Sequence, residues 1–177
     1  MSPRKILLEG RPGSGKTTVA RSLARILHAR GVRVAGFTTE EIRERGHRIG
    51  FHVQGLSGAR ATLAHIDLLG PPRVGRYGVD IASFELVALP SLAEAASVVV
   101  IDELGKMELA SDAFRHAVTA LVERDLSMVA TVQASPHPLT DGLKERSDVQ
   151  RIAVSPGNRD RLPEELADLV ANDGFDC

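Results

Sequence analysis

The sequence predicts an α/β fold in which a mostly parallel central sheet is flanked by helices and carries an antiparallel elaboration. Three observations lead there. The glycine-rich segment Gly10-Arg11-Pro12-Gly13-Ser14-Gly15-Lys16-Thr17 lies between the apolar run Ile6-Leu7-Leu8 and a helical pattern. Ser97-Val98-Val99-Val100-Ile101 is an unbroken apolar stretch of the kind a parallel strand buried on both faces requires. Beyond it, strand-like and helix-like segments alternate to residue 170.

The first strand is the Ile6-Leu7-Leu8 run. In the helix that follows, Val19, Leu23, Ile26 and Leu27 share one face, Arg21, Arg25 and His28 another, and Gly31 is a natural stop. A second strand spans Arg33 to Thr39, and Gly46-His47 reads as a hairpin turn between the segments containing Ile42 and Ile49. The interleaving of His52, Gln54 and Gly55 with Phe51, Val53 and Leu56 predicts a further strand, with another short one around Ala61 to Ala64. Residues 36–79 form the antiparallel insertion, and 1–177 read as one domain. Glycines and prolines mark Leu69 to Gly75 as a loop, and Val79 to Ala96 as two helical segments divided near Pro90.

After the valine-rich strand, Ser111-Asp112 can cap a helix running to about Arg124, with Phe114, Val118, Leu121 and Val122 facing inward. Met128 to Val132 follows as a strand. Then come a helix from about Leu139 to Arg146, a strand at Val149 to Val154 and a closing helix from about Pro163 to Val170.

Composition narrows the function classes. Twenty-two Lys and Arg against 23 Asp and Glu give a net charge of −1, and the cations are scattered, so no basic footprint points to nucleic acid or an acidic membrane. Aromatic residues make up 3% of the chain, too few to provide stacking platforms for single strands. Cys177 is the sole cysteine, which excludes an intramolecular disulfide and fits a reducing compartment. Met1 to Lys5 lead straight into the first strand and no apolar run reaches membrane-spanning length, so a cytoplasmic location is expected. The six histidines, His28, His47, His52, His65, His116 and His137, show no metal-ligand spacing.

The glycine-rich segment has the spacing of a phosphate-binding loop. Gly10, Gly13 and Gly15 let successive backbone N–H groups curl round a polyphosphate, with Arg11, Pro12 and Ser14 completing the cradle. Lys16 brings a mobile point charge to the β- and γ-phosphates, Thr17 offers its hydroxyl to Mg²⁺, and the helix directs its positive end at the anion. Ligands of open α/β sheets sit beyond the carboxyl ends of the strands, so Asp102, following Ile101, should share that crevice as a Mg²⁺-shell group, with a turn aspartate as the alternative. Its neighbour Glu103 could hold and polarise an attacking water. Lys106 reads by itself as a solvated loop lysine or as a second cation near the γ-phosphate. Glu40 and Glu41 fit either a switch-like loop approaching the metal or a solvated acidic turn. Asn158, Arg159 and Asp160 could line a base or cap the last helix, and Gln133 follows a strand where a γ-phosphate sensor could sit.

The chain resembles the small nucleoside-triphosphatase family known from thermophilic microbes and from a human cancer-related counterpart. The resemblance rests on Gly10 to Thr18 and on Asp102-Glu103-Leu104-Gly105-Lys106-Met107-Glu108-Leu109, which is similar to the family's extended second motif. Gly36 to Arg43, Arg48-Ile49-Gly50-Phe51, Tyr77-Gly78-Val79-Asp80 and Asn158 to Pro163 add to it. It implies a RecA-like phosphate-loop domain and slow, Mg²⁺-dependent hydrolysis of ATP, GTP and other nucleoside triphosphates to diphosphate and phosphate. Implied functional positions are Gly13, Gly15, Lys16, Thr17, Thr18, Asp102 and Glu103, with Lys106 a candidate transition-state cation. Two alternatives use the same loop: a small-molecule kinase passing the γ-phosphate to a hydroxyl, and a nucleotide-gated module whose segments 37–45 and 104–110 switch with nucleotide state.

Overall fold

The computed structural model describes residues 3–171; Cys177 lies outside the described residues. In chain order the elements are β1 (Lys5–Glu9), α1 (Lys16–Ala29), β2 (Val34–Glu44), β3 (His47–Gly55), β4 (Arg60–His65), β5 (Arg73–Val74), β6 (Tyr77–Val79), α2 (Ile81–Ala93), β7 (Val98–Leu104), α3 (Asp112–Val122), β8 (Ser127–Val132), α4 (Pro138–Glu145), β9 (Val149–Ala153) and α5 (Leu162–Ala171). A short 3₁₀ turn, Glu108–Ala110, precedes α3.

The strands form one nine-stranded sheet in the order β5-β6-β4-β3-β2-β7-β8-β1-β9. From β2 to β9 every pairing is parallel. From β2 outward through β3, β4, β6 and β5 every pairing is antiparallel, so the elaboration expected over 36–79 grows directly from the far end of a parallel strand.

Side-chain alternation in the central strands sorts the core onto the two faces of the sheet. Ile6 and Leu8 of β1, Val98 and Val100 of β7 and Val129 of β8 pack with Val19, Leu23 and Leu27 of α1 and Leu166 and Val170 of α5. Leu7, Val99, Ile101, Met128 and Ala130, one residue out of phase, pack on the other face with α2 and α3. There Phe37, Phe84 and Phe114 meet with ring centroids 5.0–5.7 Å apart, Phe84 edge-on to both others and Phe37 tilted against Phe114; aromatic quadrupoles favour the edge-on pairs.

Several boundaries differ from the sequence reading. The β2–β3 turn is Arg45-Gly46, both at positive φ, and His47 already belongs to β3; two positive φ values match the twist of a two-residue hairpin. Within the predicted loop, Arg73 and Val74 form β5 against β6, a strand too short to show periodicity. Val79 ends β6, and Asp80 caps α2 by accepting the Ser83 N–H at 2.9 Å. Finally, α2 runs unbroken through Pro90. A proline there removes only the bond to the carbonyl four residues earlier, on Leu86, whose side chain is 76% exposed, so that carbonyl lies on the solvent side and can be met by water.

Gly36 shows how closely β2 and β7 approach. It has φ +109°, and a Cβ there would lie 1.9 Å from the carbonyl oxygen of Val100, its register partner. Gly36→Ala should therefore cost about 3 kcal/mol or more, from backbone strain and overpacking together. Chemical denaturation checks this, and a loss below about 1 kcal/mol would contradict the geometry.

Candidate functional site

The phosphate loop occupies the turn between β1 and α1. Gly13 and Gly15 have φ of 81° and 108°, a region L side chains avoid, and Gly15 is the residue from which α1 starts. The Lys16 ammonium donates to the carbonyl of Gly10 at 2.9 Å, so the cation is held over the mouth of the loop by its own backbone. Ser14 Oγ is buried with no hydrogen-bond partner among the described residues. A buried hydroxyl without a partner in the loop that precedes a helix N-terminus is the kind of donor an anion's oxygens satisfy. Thr18 is exposed.

The second motif reaches the loop across an intervening strand, because β8 separates β7 from β1. The β7–β8 ladder pairs Ile101 with Ala130 and resumes with Leu104 and Val132, so β7 fits one extra residue beside Asp102 and Glu103. Such a bulge re-aims the side chains it carries.

Asp102 is 1% exposed and is surrounded by hydroxyls from three elements. Oδ1 accepts from Thr17 of α1 at 3.2 Å and from Thr131 of β8 at 2.7 Å, and Oδ2 accepts from Thr39 of β2 at 3.3 Å. Burial pushes its carboxyl above the ordinary aspartate range, against the pull of these hydroxyls and of Arg21. A buried carboxylate held by neutral donors is under-compensated, and a hard cation on its free lone pairs would relieve it. No cluster of three or more His, Cys, Asp or Glu capable of holding a metal occurs among the described residues. The Thr17 hydroxyl and the Asp102 carboxylate are hard oxygen donors of the kind Mg²⁺ takes, one or two from protein with phosphate and water completing its shell.

Glu103 is half-buried. Burial and the neighbouring Asp102 push its carboxyl above the ordinary glutamate range, against the pull of Lys16. Glu103 also lines a cavity of about 440 Å³ with Thr17, Arg21, Thr39, Glu40, Glu41, Arg43 and Phe51. Both arginines there are engaged: Arg21 donates to the Thr39 carbonyl and Arg43 to Glu41 at 2.7 Å.

The remaining candidates divide. Lys106 is exposed, and no hydrogen bond or ion pair of its side chain is found among the described residues. Glu40 and Glu41 lie within β2 instead of in a loop, because the strand continues past Thr39 to pair with β3; Glu40 meets Arg60 at 2.9 Å, and Glu41 meets Arg43 and Arg48. Gln133 donates to the Ser135 carbonyl at 3.1 Å within its own turn. Asn158 accepts the Ser155 N–H at 2.9 Å and donates to the Ala153 carbonyl at 2.7 Å, so its amide shapes the turn before α5. Arg159 folds against the phosphate loop, its Cδ only 2.8 Å from where a Cβ on Gly15 would stand.

Three participants escaped sequence reasoning. Thr39 lies in the resembling segment Gly36 to Arg43 with no role attached, and Thr131 carries no motif; only the sheet order brings them to Asp102. Glu108, 5% exposed, falls within the segment that resembles the family's second motif but is given no role there. Burial and Glu103 push its carboxyl well above the ordinary range. Folded Glu108 thus holds its proton more tightly than unfolded Glu108, so the group costs no stability below the ordinary glutamate value and progressively more as pH rises from there through its folded value. The stability of Glu108→Gln relative to wild type should accordingly increase between about pH 5 and pH 8, measured by denaturant unfolding; a pH-independent difference would show that Glu108 is not protonated.

Comparison with known proteins agrees with this geometry. A family model described as NTPase matches residues 5–167. Nucleoside-triphosphatase THEP1 of Thermotoga sp. (strain RQ2) is 40% identical over 169 residues, covering 94% of this chain and 95% of the relative. The human cancer-related nucleoside-triphosphatase is 40% identical over 183 residues, with the same two coverages. The crystal structure of THEP1 from the hyperthermophile Aquifex aeolicus superposes with a TM-score of 0.83 at 34% identity, over 94% of this chain and 98% of that one. The solution structure of a human cancer-related nucleoside triphosphatase also gives 0.83, at 39% identity, over 96% and 98%.

Proposed function

The chain belongs to the NTPase family and is an enzyme that hydrolyses nucleoside triphosphates; from that premise we propose that it cleaves the γ-phosphate of ATP, GTP and other nucleoside triphosphates, with Mg²⁺, to the diphosphate and inorganic phosphate. The observation that carries this reading is the 3.2 Å hydrogen bond from Thr17 to Asp102, which joins the phosphate loop to the second motif 85 residues away.

In this reading Gly10 to Thr18 bind the phosphates through backbone N–H groups, and Lys16 exchanges its Gly10 carbonyl for the β- and γ-phosphate oxygens. Thr17 and Asp102 would hold Mg²⁺, which when bound neutralises charge on the phosphate oxygens. Glu103 orients a water in line with the γ-phosphorus; the water oxygen bonds to phosphorus as the bond to the diphosphate oxygen breaks, and Glu103 accepts the water's proton. Lys106 supplies a second cation from its exposed turn. Breadth of substrate fits a chain in which Asn158 is spent on its own backbone and Arg159 offers a planar cation able to stack on any base.

Phosphate release from ATP, GTP, CTP and UTP, with Mg²⁺ and with excess chelator, tests the proposal. All four should be hydrolysed without an added acceptor, and chelation should abolish turnover. Phosphate transfer only when an alcohol or a nucleotide acceptor is present would instead support a kinase, and activity unaffected by chelator would remove Mg²⁺ from the scheme.

A further inference from the structure

The register of the β7–β8 ladder is lost where the site lies. Ile101 pairs with Ala130 and Leu104 with Val132, so Asp102 and Glu103 together face a single residue of β8, Thr131. Side chains along a regular strand alternate between its faces, but at a bulge that alternation no longer decides which of two adjacent residues turns inward. Here Asp102 is the buried one, at 1% exposure, and Glu103 lines the cavity it shares with Thr17 and Phe51.

Three hydroxyls reach the Asp102 carboxyl, and they are not equal. Thr131 donates to Oδ1 at 2.7 Å, whereas Thr17 and Thr39 donate at 3.2 and 3.3 Å. An O–H···O bond is best near about 2.7–2.8 Å and is long beyond about 3.0 Å, so the Thr131 bond dominates. The three donors also differ in what holds them. Strand β8 is laddered on both sides, to β7 and to β1, where Thr131 is the register partner of Leu8. Thr39 lies beyond Phe37, where the pairing of β2 with β7 ends, and the Thr17 hydroxyl is the one the proposed scheme gives to Mg²⁺. Thr131 is wholly buried, and its branched Cβ restricts χ1, so the direction of its oxygen is set by the strand that carries it.

We propose that Thr131 is a positioning residue for the Mg²⁺ site: its hydroxyl pins Asp102 inward at the bulge, so that Asp102 turns to the phosphate loop and Glu103 is left to the cavity. Carboxylates that hold a metal are themselves held by hydrogen bonds, and losing such a partner loosens the metal. The inference rests on the reading of Asp102 as a group that holds Mg²⁺. Thr131 touches neither metal nor phosphate in this role; it acts only through Asp102.

The test is the Mn²⁺ affinity of the complex with a non-hydrolysable ATP analogue, read from the electron paramagnetic resonance signal of free Mn²⁺. It is measured for wild type, Thr131→Val, Thr131→Ser, Asp102→Ala and the Asp102→Ala/Thr131→Val pair, with analogue binding in excess chelator and unfolding midpoints alongside. Thr131→Val, which keeps the branched shape and removes the donor, should weaken Mn²⁺ binding about tenfold, while analogue affinity in chelator stays within about twofold of wild type. Thr131→Ser, which keeps the hydroxyl, should hold Mn²⁺ within about threefold of wild type. In the Asp102→Ala background, where the analogue still carries Mn²⁺, Thr131→Val should shift the affinity less than about twofold. Should Thr131→Val fail to fold, Thr131→Ala carries the same expectation of about tenfold. A folded Thr131→Val or Thr131→Ala protein with wild-type Mn²⁺ affinity, whatever its unfolding midpoint, would overturn the proposal. So would a Thr131→Ser protein as weak as Thr131→Val, an equal loss of analogue affinity in chelator, or a loss of about tenfold that recurs without Asp102. Undiminished Mn²⁺ affinity in Asp102→Ala alone would overturn the reading of Asp102 itself, and that single variant separates the two failures.

Discussion

Lys16→Ala should reduce kcat/KM by at least about 10³-fold, with phosphate release falling to the level of a protein-free control. The magnitude follows from where the ammonium sits. Lys16 is the first residue of α1, and its Nζ lies 2.9 Å from the Gly10 carbonyl, so the loop's own backbone holds the charge at its mouth, where a preorganised cation is worth most. Alanine removes the charge and also exposes Glu103 to an uncompensated Asp102, since Lys16 is the cation that lowers the Glu103 carboxyl. Lys16→Arg should rescue poorly, because a planar guanidinium cannot replace a compact ammonium within a glycine-walled loop. A Lys16→Ala enzyme retaining more than about one hundredth of wild-type kcat/KM would remove the phosphate loop from the proposed chemistry.

Glu103→Gln is the second large effect, and it should divide differently between the kinetic constants. The carboxamide keeps the shape of the side chain but cannot accept the water's proton, so kcat should fall about 10²–10³-fold, or about 3–4 kcal/mol of barrier, while KM changes little. Binding of a fluorescent nucleotide analogue should remain near wild type, because in the proposed scheme Glu103 acts on the water while Gly10 to Thr18 hold the phosphates. A loss smaller than about fivefold would mean that another group directs the water. The Lys16 and Glu103 variants thus separate a charge that binds and stabilises from a carboxylate that acts on the nucleophile.

Much of this site was legible in the chain itself, and the limits of that legibility have physical causes. The phosphate loop is local: its glycines, lysine and threonine act through their own backbone and the helix that follows, so sequence spacing specifies it. The apolar run ending at Ile101 likewise announces a strand buried on both faces and places Asp102 at its carboxyl end. Thr39 and Thr131 were not legible, because a threonine on a strand has many uses and only the strand order β2-β7-β8 brings both to one carboxylate. The extra residue of β7 beside Asp102 is equally silent, being a mismatch between two strands and a property of neither. Glu108 escaped for the opposite reason: charged residues in short turns are usually solvated, and only the packing of its turn against β7, α2 and α3 buries this one. Pro90 misled because its rule concerns a lost hydrogen bond, and whether that loss matters depends on which side of α2 faces water.

The outer strands of the sheet have a consequence of their own. At one margin β5 is two residues long; at the other, β9 turns exposed Gln150 and Arg151 outward, with Arg151 paired to Glu9 at 3.1 Å. A stubby border on one side and a charged one on the other offer little template for an incoming chain to zip onto. The architecture therefore discourages self-propagating, fibril-like growth at both rims while leaving the crevice at the strand tips open to small anions.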